Sequence, residues 1–281
     1  MMHDRIPSET WEGQPREHWR SLWAVPRLLV FRTVSSTNDI ARELAEDGAP
    51  EGTAVLADHQ TAGRGRGGRR WHAPPGRALL LSIVLRPARF GAGEAAPGVL
   101  PLLVGLAVAR AIGRTARIRA GIKWPNDVLM PGGGKVAGIL CEGALAGDSA
   151  GYVVAGIGIN VCQTAAELPA ELGAGATSLL LATGRRVSRP ALAGRVIAEV
   201  RRIAAHGARP LDSGLLAGIR RRDVLRGRTV TVDGRERGTV QGIAADGSLL
   251  LRDPQGLVVA IRSGTLRVVA EDESITGSGR P

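Results

Sequence analysis

Two lysines and one arginine-rich loop carry the side chains best suited to chemistry on an anionic ligand. Lys123 and Lys135 are the only lysines among 37 basic residues, and both stand beside apolar, strand-forming sequence. An ammonium group is a compact point charge, so it can enter a tight anion site that a planar guanidinium does not fit. Residues 63–70 hold four arginines and four glycines, which can bring guanidinium groups and backbone amides onto carboxylate or phosphate oxygens. We therefore predict a loop that closes over a phosphorylated ligand.

Common signatures of nucleotide and metal sites are missing around these residues. Lys135 is followed by Val136 and has no glycine five residues before Gly134, which excludes a P-loop. Residues 156–161 end in valine where a dinucleotide-binding fingerprint has its third glycine. The two cysteines lack paired zinc spacing and are too few for a disulfide framework, and the five histidines are scattered. We assign no metal site to side chains.

The predicted secondary structure that must position these side chains changes near residue 224, from mixed strands and helices to short strands alone. Upstream, apolar runs predict strands at 28–32, 53–57, 78–85, 118–124, 128–130, 135–142 and 152–161. Helices are predicted at 98–114, 189–206 and 211–222, and a hydroxyl of Ser35-Ser36-Thr37 is predicted to cap a helix that ends near Asp47. Downstream, five short strands separated by Asp-Gly and Gln-Gly turns predict a small barrel. A hairpin after Met130 is predicted to place the two lysines on neighbouring strands.

Composition and charge indicate a soluble protein of two domains. The 281 residues are 44% hydrophobic, which is enough for one large core and a small second domain. The net charge of +11 comes from arginine spread along the chain, so it indicates a general arginine bias more than a nucleic-acid site. The longest apolar run, 97–109, is shorter than the ~20 residues of a membrane span and predicts a buried helix. The polar amino terminus lacks a signal peptide, so we expect a cytoplasmic protein.

Five motifs in family order resemble those of the biotin protein ligases, which attach biotin to carboxylase carrier domains. They are Ser36-Thr37-Asn38, Gly63-Arg64-Gly65-Arg66 with Arg69 and Trp71, Lys123-Trp124-Pro125-Asn126-Asp127, Lys135-Val136-Ala137-Gly138-Ile139-Leu140 and Gly156-Ile157-Gly158-Ile159-Asn160. The resemblance implies an α/β fold, with a mixed-sheet biotin/lipoate-ligase-like catalytic domain at 28–223 and a small SH3-like β-barrel at 224–270. Residues 1–27 are then an N-terminal extension, and residues 271–281 a flexible tail.

The family reaction supplies roles for these residues. In it, biotin and Mg-ATP give biotinyl-5′-adenylate and pyrophosphate, and a lysine amine of the carrier domain then attacks the mixed anhydride to form an amide. The resemblance assigns catalysis to Lys135, Arg66, Arg64 and Asp127. It assigns biotin binding to Ser36, Thr37, Asn38, Gln60, Gly63, Arg64, Lys135, Gly138 and Gly156. It assigns ATP binding to Arg66, Arg69, Trp71, Lys123, Asn126, Asp127, Ile139 and Asn160. The glycines are expected to leave room for a flat ligand against the sheet.

Partners and departures from the family also follow from the resemblance. The expected acceptor is the biotin carboxyl carrier domain of acetyl-CoA carboxylase or a related biotin-dependent carboxylase. Residues 1–27 are too few for a DNA-binding domain, so we expect no DNA partner, and Trp11, Trp19 and Trp23 with Leu22 are expected to pack on the main domain. Gly67 and Thr265 replace common family residues. An exposed sheet edge leaves homodimerisation open, and no membrane partner is expected.

Two alternatives from other functional classes stay open at the level of sequence. A lipoate or octanoate ligase or transferase shares the catalytic fold, but a fatty acyl chain needs no polar cluster for a ureido ring. An RNA-binding module is the second alternative, because residues 63–70 resemble an arginine-glycine box. Such boxes are usually repeated in low-complexity tracts, whereas this run is single and bounded by apolar strands.

Overall fold

The structure, a computed structural model, describes residues 6–86, 99–144, 151–168, 175–204, 211 and 213–269, without the side chains of residues 236 and 237. The predicted tail at 271–281 lies outside the described residues. The described chain has a large mixed sheet with helices packed on it, followed by a smaller antiparallel sheet. This arrangement confirms the α/β fold class.

A seven-stranded sheet carries most of the buried core. Its strands are β3 (Leu28–Val34), β4 (Ala54–Gln60), β5 (Ala78–Leu85), β6 (Gly121–Lys123), β7 (Asp127–Leu129), β8 (Lys135–Ala144) and β9 (Tyr152–Asn160), in the order β3-β4-β5-β9-β8-β7-β6. Only β3 and β4 run parallel, and the other neighbours are antiparallel. Every residue of β5 is buried, as its continuous apolar run predicts.

The two lysines do not lie on neighbouring strands, so that prediction is wrong. Lys123 ends β6 and Lys135 begins β8, and β7 lies between them with hydrogen bonds to both. The reason is that the strand predicted at 128–130 is present as β7 and pairs with β6 as well as with β8, so it lies between the two lysines. Asp127, the first residue of β7, is the partner of Lys123 on one side and of Gly138 on the other.

Helices cover the sheet and extend the core. They are α2 (Thr37–Glu46), α3 (Val99–Ala116), α4 (Leu179–Thr183), α5 (Arg189–Ala204) and α6 (Ser213–Arg220). Helix α3 is long and apolar enough to cross a membrane by length and composition alone, but 78% of its residues are buried inside the protein. It packs against α5 and β8, which confirms the predicted buried helix. At α2, Ser36 occupies the N-cap position without a capping hydrogen bond from its side chain, so the capping hydroxyl predicted within Ser35-Ser36-Thr37 is not that of Ser36.

The five strands predicted after residue 224 are all present in one antiparallel sheet. They are β10 (Thr229–Val232), β11 (Glu236–Ile243), β12 (Leu249–Arg252), β13 (Val258–Ile261) and β14 (Leu266–Val268), in the order β13-β12-β11-β10-β14. This sheet is attached to the large one through the β6–β7 hairpin. The buried Trp124 donates from Nε1 to the carbonyl oxygen of Gly247 at 2.9 Å, and Val224 donates its backbone N–H to Ile122.

A tryptophan cluster holds the amino-terminal segment on the main domain. The segment contains β1 (Thr10–Trp11), β2 (Gln14–Pro15) and α1 (Arg16–Leu22). Trp11 meets Trp19 and Trp23 edge-on at 6.2 and 5.9 Å between ring centroids. The Trp11 indole donates to Asp58 on β4 at 3.1 Å. The predicted packing of the three tryptophans is confirmed, but Leu22 is 64% exposed and takes no part in it.

Candidate functional site

A pocket of about 340 Å³ lies over β8 and β9, between the start of α2 and residues 63–70, which we call the arginine-glycine loop. Fifteen of the predicted site residues line it: Ser36, Thr37, Asn38, Gln60, Arg64, Arg66, Arg69, Trp71, Asn126, Asp127, Lys135, Gly138, Ile139, Gly156 and Asn160. Gly63 lines a second cavity beside it. Lys123 lines neither cavity, so the structure does not bring the two lysines into one pocket.

The end of the pocket next to α2 is a chain of polar side chains. Gln60, at the end of β4, accepts through Oε1 from the backbone N–H of Thr37 at 2.7 Å, and the hydroxyl oxygen of Thr37 lies 2.9 Å from the same Oε1. Ser82, a fully buried residue of β5, has its hydroxyl 2.8 Å from Thr37 Oγ1 and 2.6 Å from Asn38 Oδ1. These bonds fix the amide orientation of Gln60, so its Nε2 is a donor directed away from Thr37.

Two carboxylates next to this row of hydrogen-bonded side chains hold Asn38 and the arginine-glycine loop. Glu142 on β8 accepts from Asn38 Nδ2 at 2.6 Å and from Arg64 at 3.2 Å. Asp39 on α2 accepts from both terminal nitrogens of Arg64, at 2.7 and 2.9 Å. Hydrogen bonding to Asp39, followed by the contact with Glu142, holds the pKa of Arg64 above its ordinary value. Arg64 is therefore a fixed cation that ties the loop to α2 and β8.

At the other end of the pocket, positive charge surrounds one carboxylate. Lys135 Nζ lies 2.7 Å from Asp127 Oδ1 and 5.7 Å from the centre of the Trp71 ring. Asn126 donates from Nδ2 to the carbonyl oxygen of Ile139 at 2.8 Å, which ties the β6–β7 turn to β8. Arg66 reaches Asn126 Oδ1 at 3.5 Å. The cationic end can therefore attract an anionic group, while Asp127 competes for Lys135 until that group arrives.

The glycines of β8 and β9 form a flat surface that side chains of the protein itself cover. Gly138 and Gly158 are direct partners across the two strands. A Cβ on Gly158 would lie 2.5 Å from the Trp71 ring, and one on Gly138 would lie 3.0 Å from it. A Cβ on Gly156 would lie 2.3 Å from Asn38 Oδ1. These glycines are required by Trp71 and Asn38, whether or not a ligand also lies against them.

Asn160, at the end of β9, is held by two neighbours. Its Nδ2 donates to the carbonyl oxygen of Thr177 at 3.0 Å, and its Oδ1 accepts from Gln163 at 2.7 Å. Gln163 is fully buried. The position of Asn160 at the pocket wall is thus set by bonds within the protein, which leaves its second amide proton for a ligand.

The second cavity, of about 680 Å³, opens between the arginine-glycine loop and the smaller sheet. Besides the loop, Pro101, Pro125, Cys141, Glu142, Arg262 and Ser263 line it. Burial raises the pKa of the Cys141 thiol to about 12, so this cysteine stays protonated near neutral pH and is no nucleophile. Arg262 and Ser263 follow β13, so the smaller sheet contributes directly to the surroundings of the loop.

Sequence reasoning missed several residues of this site. Ser82, Asp39 and Glu142 are hydrogen-bonded to predicted site residues, and Arg70 lines the pocket. Ser82 has a visible signal, because it is the one polar residue in the apolar run 78–85. Glu142 and Asp39 had none, because ordinary surface strands and helices also carry such carboxylates. Among the residues that the structure describes, no three His, Cys, Asp or Glu side chains form a group that could hold a metal ion.

Comparisons with known proteins agree on one family. Residues 30–160 match the Biotin/lipoate A/B protein ligase family. The chain is 38% identical over 241 residues to the bifunctional ligase/repressor BirA of Bacillus subtilis, covering 82% of this chain and 70% of that protein. It is 36% identical over 245 residues to the biotin--[acetyl-CoA-carboxylase] ligase of Mycobacterium tuberculosis, covering 84% of this chain and 86% of that protein. The solved structure of the Aquifex aeolicus biotin protein ligase in complex with biotin and ATP superimposes with a TM-score of 0.73 and 30% identity, over 88% of this chain and 100% of that one.

Proposed function

The chain belongs to the biotin protein ligases, and from this premise we propose how its pocket divides the work of ATP-dependent biotin ligation. The enzyme uses biotin and ATP and acts on biotin carboxyl carrier proteins of carboxylases. We propose the carrier domain of acetyl-CoA carboxylase as the acceptor, Mg²⁺ as the metal that accompanies ATP, and the cytoplasm as the location. The lipoate and octanoate alternative is not favoured by the comparisons.

One observation carries the assignment of the pocket: its two ends differ in chemistry as the two ends of biotin do. Ser36, Thr37 and Gln60 offer neutral donors and acceptors at one end, whereas Lys135 and Arg66 offer positive charge at the other. A ureido ring needs the first environment and a carboxylate needs the second. We therefore place the ureido ring beside α2 and the biotin carboxylate beside Lys135.

In the first step, a carboxylate must approach the α-phosphate of ATP although both groups are anionic. Positive charge that is already in place lowers this barrier, because it needs no reorganisation when the bond forms. Lys135 and Arg66 line the pocket near Asn126, and Arg69 and Arg70 supply further charge from the loop. The adenine ring of ATP is proposed to bind beside Trp71, which covers the Gly138–Gly158 pair, and near Asn160 at the pocket wall.

Asp127 is the carboxylate that lines the pocket, and we propose two uses for it. A Mg²⁺ ion bound to ATP keeps several water ligands and needs only one or two protein carboxylates, and the donor set of Asp127 and Asn126 fits such an ion. Mg²⁺ would there neutralise phosphate charge. In the second step, Asp127 is proposed to orient or deprotonate the lysine amine of the carrier, because that amine has an ordinary pKa near ~10.4 and must be neutral to attack.

We further propose that residues 28–223 form the catalytic domain and residues 224–270 an SH3-like domain that closes over the site. The support is that Arg262 and Ser263 line the cavity beside the arginine-glycine loop. Trp124 is 1% exposed and is hydrogen-bonded to Gly247, so the motif that carries Asn126 and Asp127 also holds the smaller sheet in place.

The test is ATP–pyrophosphate exchange with purified protein, comparing biotin, lipoate, octanoate and no acid. We expect exchange with biotin only, and a requirement for Mg²⁺. Exchange with lipoate or octanoate at a similar rate would refute the assignment of the polar end to a ureido ring. Transfer of biotin to a purified carrier domain of acetyl-CoA carboxylase, measured by mass spectrometry, then tests the proposed acceptor.

A further inference from the structure

We propose that Glu142 is a positioning residue that fixes the hydrogen-bonding pattern of the biotin pocket and anchors the arginine-glycine loop through Arg64. The inference rests on the proposed function, because it concerns the polar end of the same pocket. Glu142 lies near the end of β8 and lines the second cavity, and 37% of its side chain is exposed. Because it does not line the pocket assigned to biotin, it must act through the residues that it holds.

The first of these residues is Asn38, whose amide Glu142 orients. An ionised carboxylate only accepts hydrogen bonds, so Asn38 must present Nδ2 to Glu142, at 2.6 Å. Its Oδ1 then faces Ser82, which donates its single proton across 2.6 Å. The lone pairs of Ser82 then accept the proton of the Thr37 hydroxyl, whose Oγ1 lies 2.8 Å away, and Gln60 Oε1 is held by the backbone N–H of Thr37 at 2.7 Å.

Glu142, together with the Leu140 carbonyl oxygen 3.4 Å from the same Nδ2, therefore sets the direction of the Ser82 and Thr37 hydroxyl bonds. A ureido ring has two N–H donors and one carbonyl acceptor, so a pocket that binds it must hold complementary groups in fixed places. Asn38 is only 6% exposed, and the backbone of Gly156 lies so close to it that a Cβ there would stand 2.3 Å from Oδ1. Any change in the Asn38 amide is thus passed to Ser82 and Thr37 instead of being absorbed by a shift of the side chain.

The second residue held by Glu142 is Arg64. The same oxygen, Oε2, that accepts from Asn38 also accepts from Arg64 at 3.2 Å. Asp39 binds the Arg64 guanidinium through both of its oxygens. Arg64 thereby joins α2, β8 and the loop. Glu142 connects the loop to the polar end of the pocket, because it contacts both Arg64 and Asn38.

The decisive experiment compares single and double variants at positions 38 and 142 in biotin-dependent ATP–pyrophosphate exchange. Asn38→Asp places two carboxylates within contact, so we expect the KM for biotin to rise by roughly 100-fold. Adding Glu142→Gln restores a donor and acceptor pair, because the new amide can donate to Asp at position 38 while that carboxylate still accepts from Ser82. We expect the double variant to bind biotin at least tenfold better than Asn38→Asp alone.

Glu142→Ala removes both contacts, and loss of hydrogen bonds to a charged group corresponds to roughly a 10–100-fold effect. We therefore expect the KM for biotin to rise by this factor, while the kcat of exchange changes less than threefold. Glu9→Gln is the matched control, since Glu9 is a carboxylate with an 81% exposed side chain in the amino-terminal segment, and it should leave both constants unchanged. If Glu142 had only a structural role, Glu142→Ala would lower the melting temperature without raising KM selectively over kcat. The double variant would then bind biotin no better than Asn38→Asp.

The outcomes separate this inference from the function on which it rests. If the parent enzyme shows no biotin-dependent exchange, the proposed function is refuted and the inference with it. If the parent is active but Glu142→Ala keeps its KM for biotin within threefold, the positioning role is refuted alone. Should Glu142→Ala fail to fold, the comparison of Asn38→Asp with the double variant decides: no rescue overturns the inference.

Discussion

Replacing Lys135 by arginine tests whether this position needs an ammonium group or only a positive charge. The Lys135 ammonium contacts Asp127 at 2.7 Å, and its end would lie 3.2 Å from a Cβ on Gly138. The Trp71 ring stands on its other side, with its centre 5.7 Å away. A planar guanidinium is larger and needs a fork of acceptors in one plane, so we expect it to displace Trp71 or to point out of the pocket.

The expected loss can be estimated from electrostatics. Two unit charges about 4 Å apart interact by roughly 4 kcal/mol at an effective dielectric constant of about 20. The Lys135 side chain is 30% exposed, so solvent screening reduces this contribution to about 3 kcal/mol. A barrier raised by about 3 kcal/mol corresponds to a rate loss of roughly 100-fold. We expect this 100-fold loss for Lys135→Ala, and a rate loss of at least about tenfold for Lys135→Arg.

The assay is biotin-dependent ATP–pyrophosphate exchange, with kcat/KM measured for biotin and for ATP. Arg32→Lys is the control, because it exchanges the same two residue types at an exposed position of β3. Tryptophan fluorescence during heating shows whether each variant is folded. Parental exchange rates in Lys135→Arg would refute the reasoning that this site selects lysine, and parental rates in Lys135→Ala would refute its place in the chemistry.

Three further substitutions test other parts of the site. Asp127→Asn should slow transfer of biotin to the carrier about tenfold more than it slows exchange, as followed by single-turnover transfer from preformed adenylate; equal slowing would contradict a role in amine attack. Arg66→Gly should weaken retention of the adenylate in the closed loop, so unrelated proteins should become biotinylated, and leakage equal to that of the parent would count against it. Gly158→Ala places a Cβ 2.5 Å from the Trp71 ring, so it should lower the free energy of unfolding by about 1–3 kcal/mol and raise the KM for ATP; an unchanged denaturant midpoint would show that Trp71 moves freely.

Hydrophobic patterning predicted the elements of this fold well, but not the order of strands. The eight apolar residues at 78–85 could be read as a buried strand because burial on both faces leaves no alternation. The short strand predicted at 128–130 is present as β7, but its residues carry no signal that it pairs with β6 on one side and β8 on the other. That strand separates the two lysines, which local sequence could not indicate.

The candidate site shows the same limit at the level of side chains. Lys135 was identified as one of two lysines and Asn38 through the family resemblance, and the structure brings both to one pocket. Glu142, the partner of Asn38, and Asp39, the partner of Arg64, carry no distinctive spacing in the sequence. The contact between Asn38 and Glu142 spans 104 residues, so only the register of β8 and the position of α2 bring the two side chains together.

The two retained lysines finally separate two explanations of an arginine-rich composition. If function alone preserved lysine, both positions would face the ligand, yet Lys123 lines neither cavity and Lys135 lies beside Asp127, Trp71 and Gly138. The two positions differ: Lys135 lies against Asp127 and beside the Trp71 ring, where we expect a guanidinium not to fit, whereas Lys123 is half-buried outside both cavities. Lys123→Arg should therefore keep exchange within about threefold of the parent, since charge and reach are retained. A loss as large as that of Lys135→Arg would show that Lys123 reaches the nucleotide when the loop closes, as the family resemblance implies.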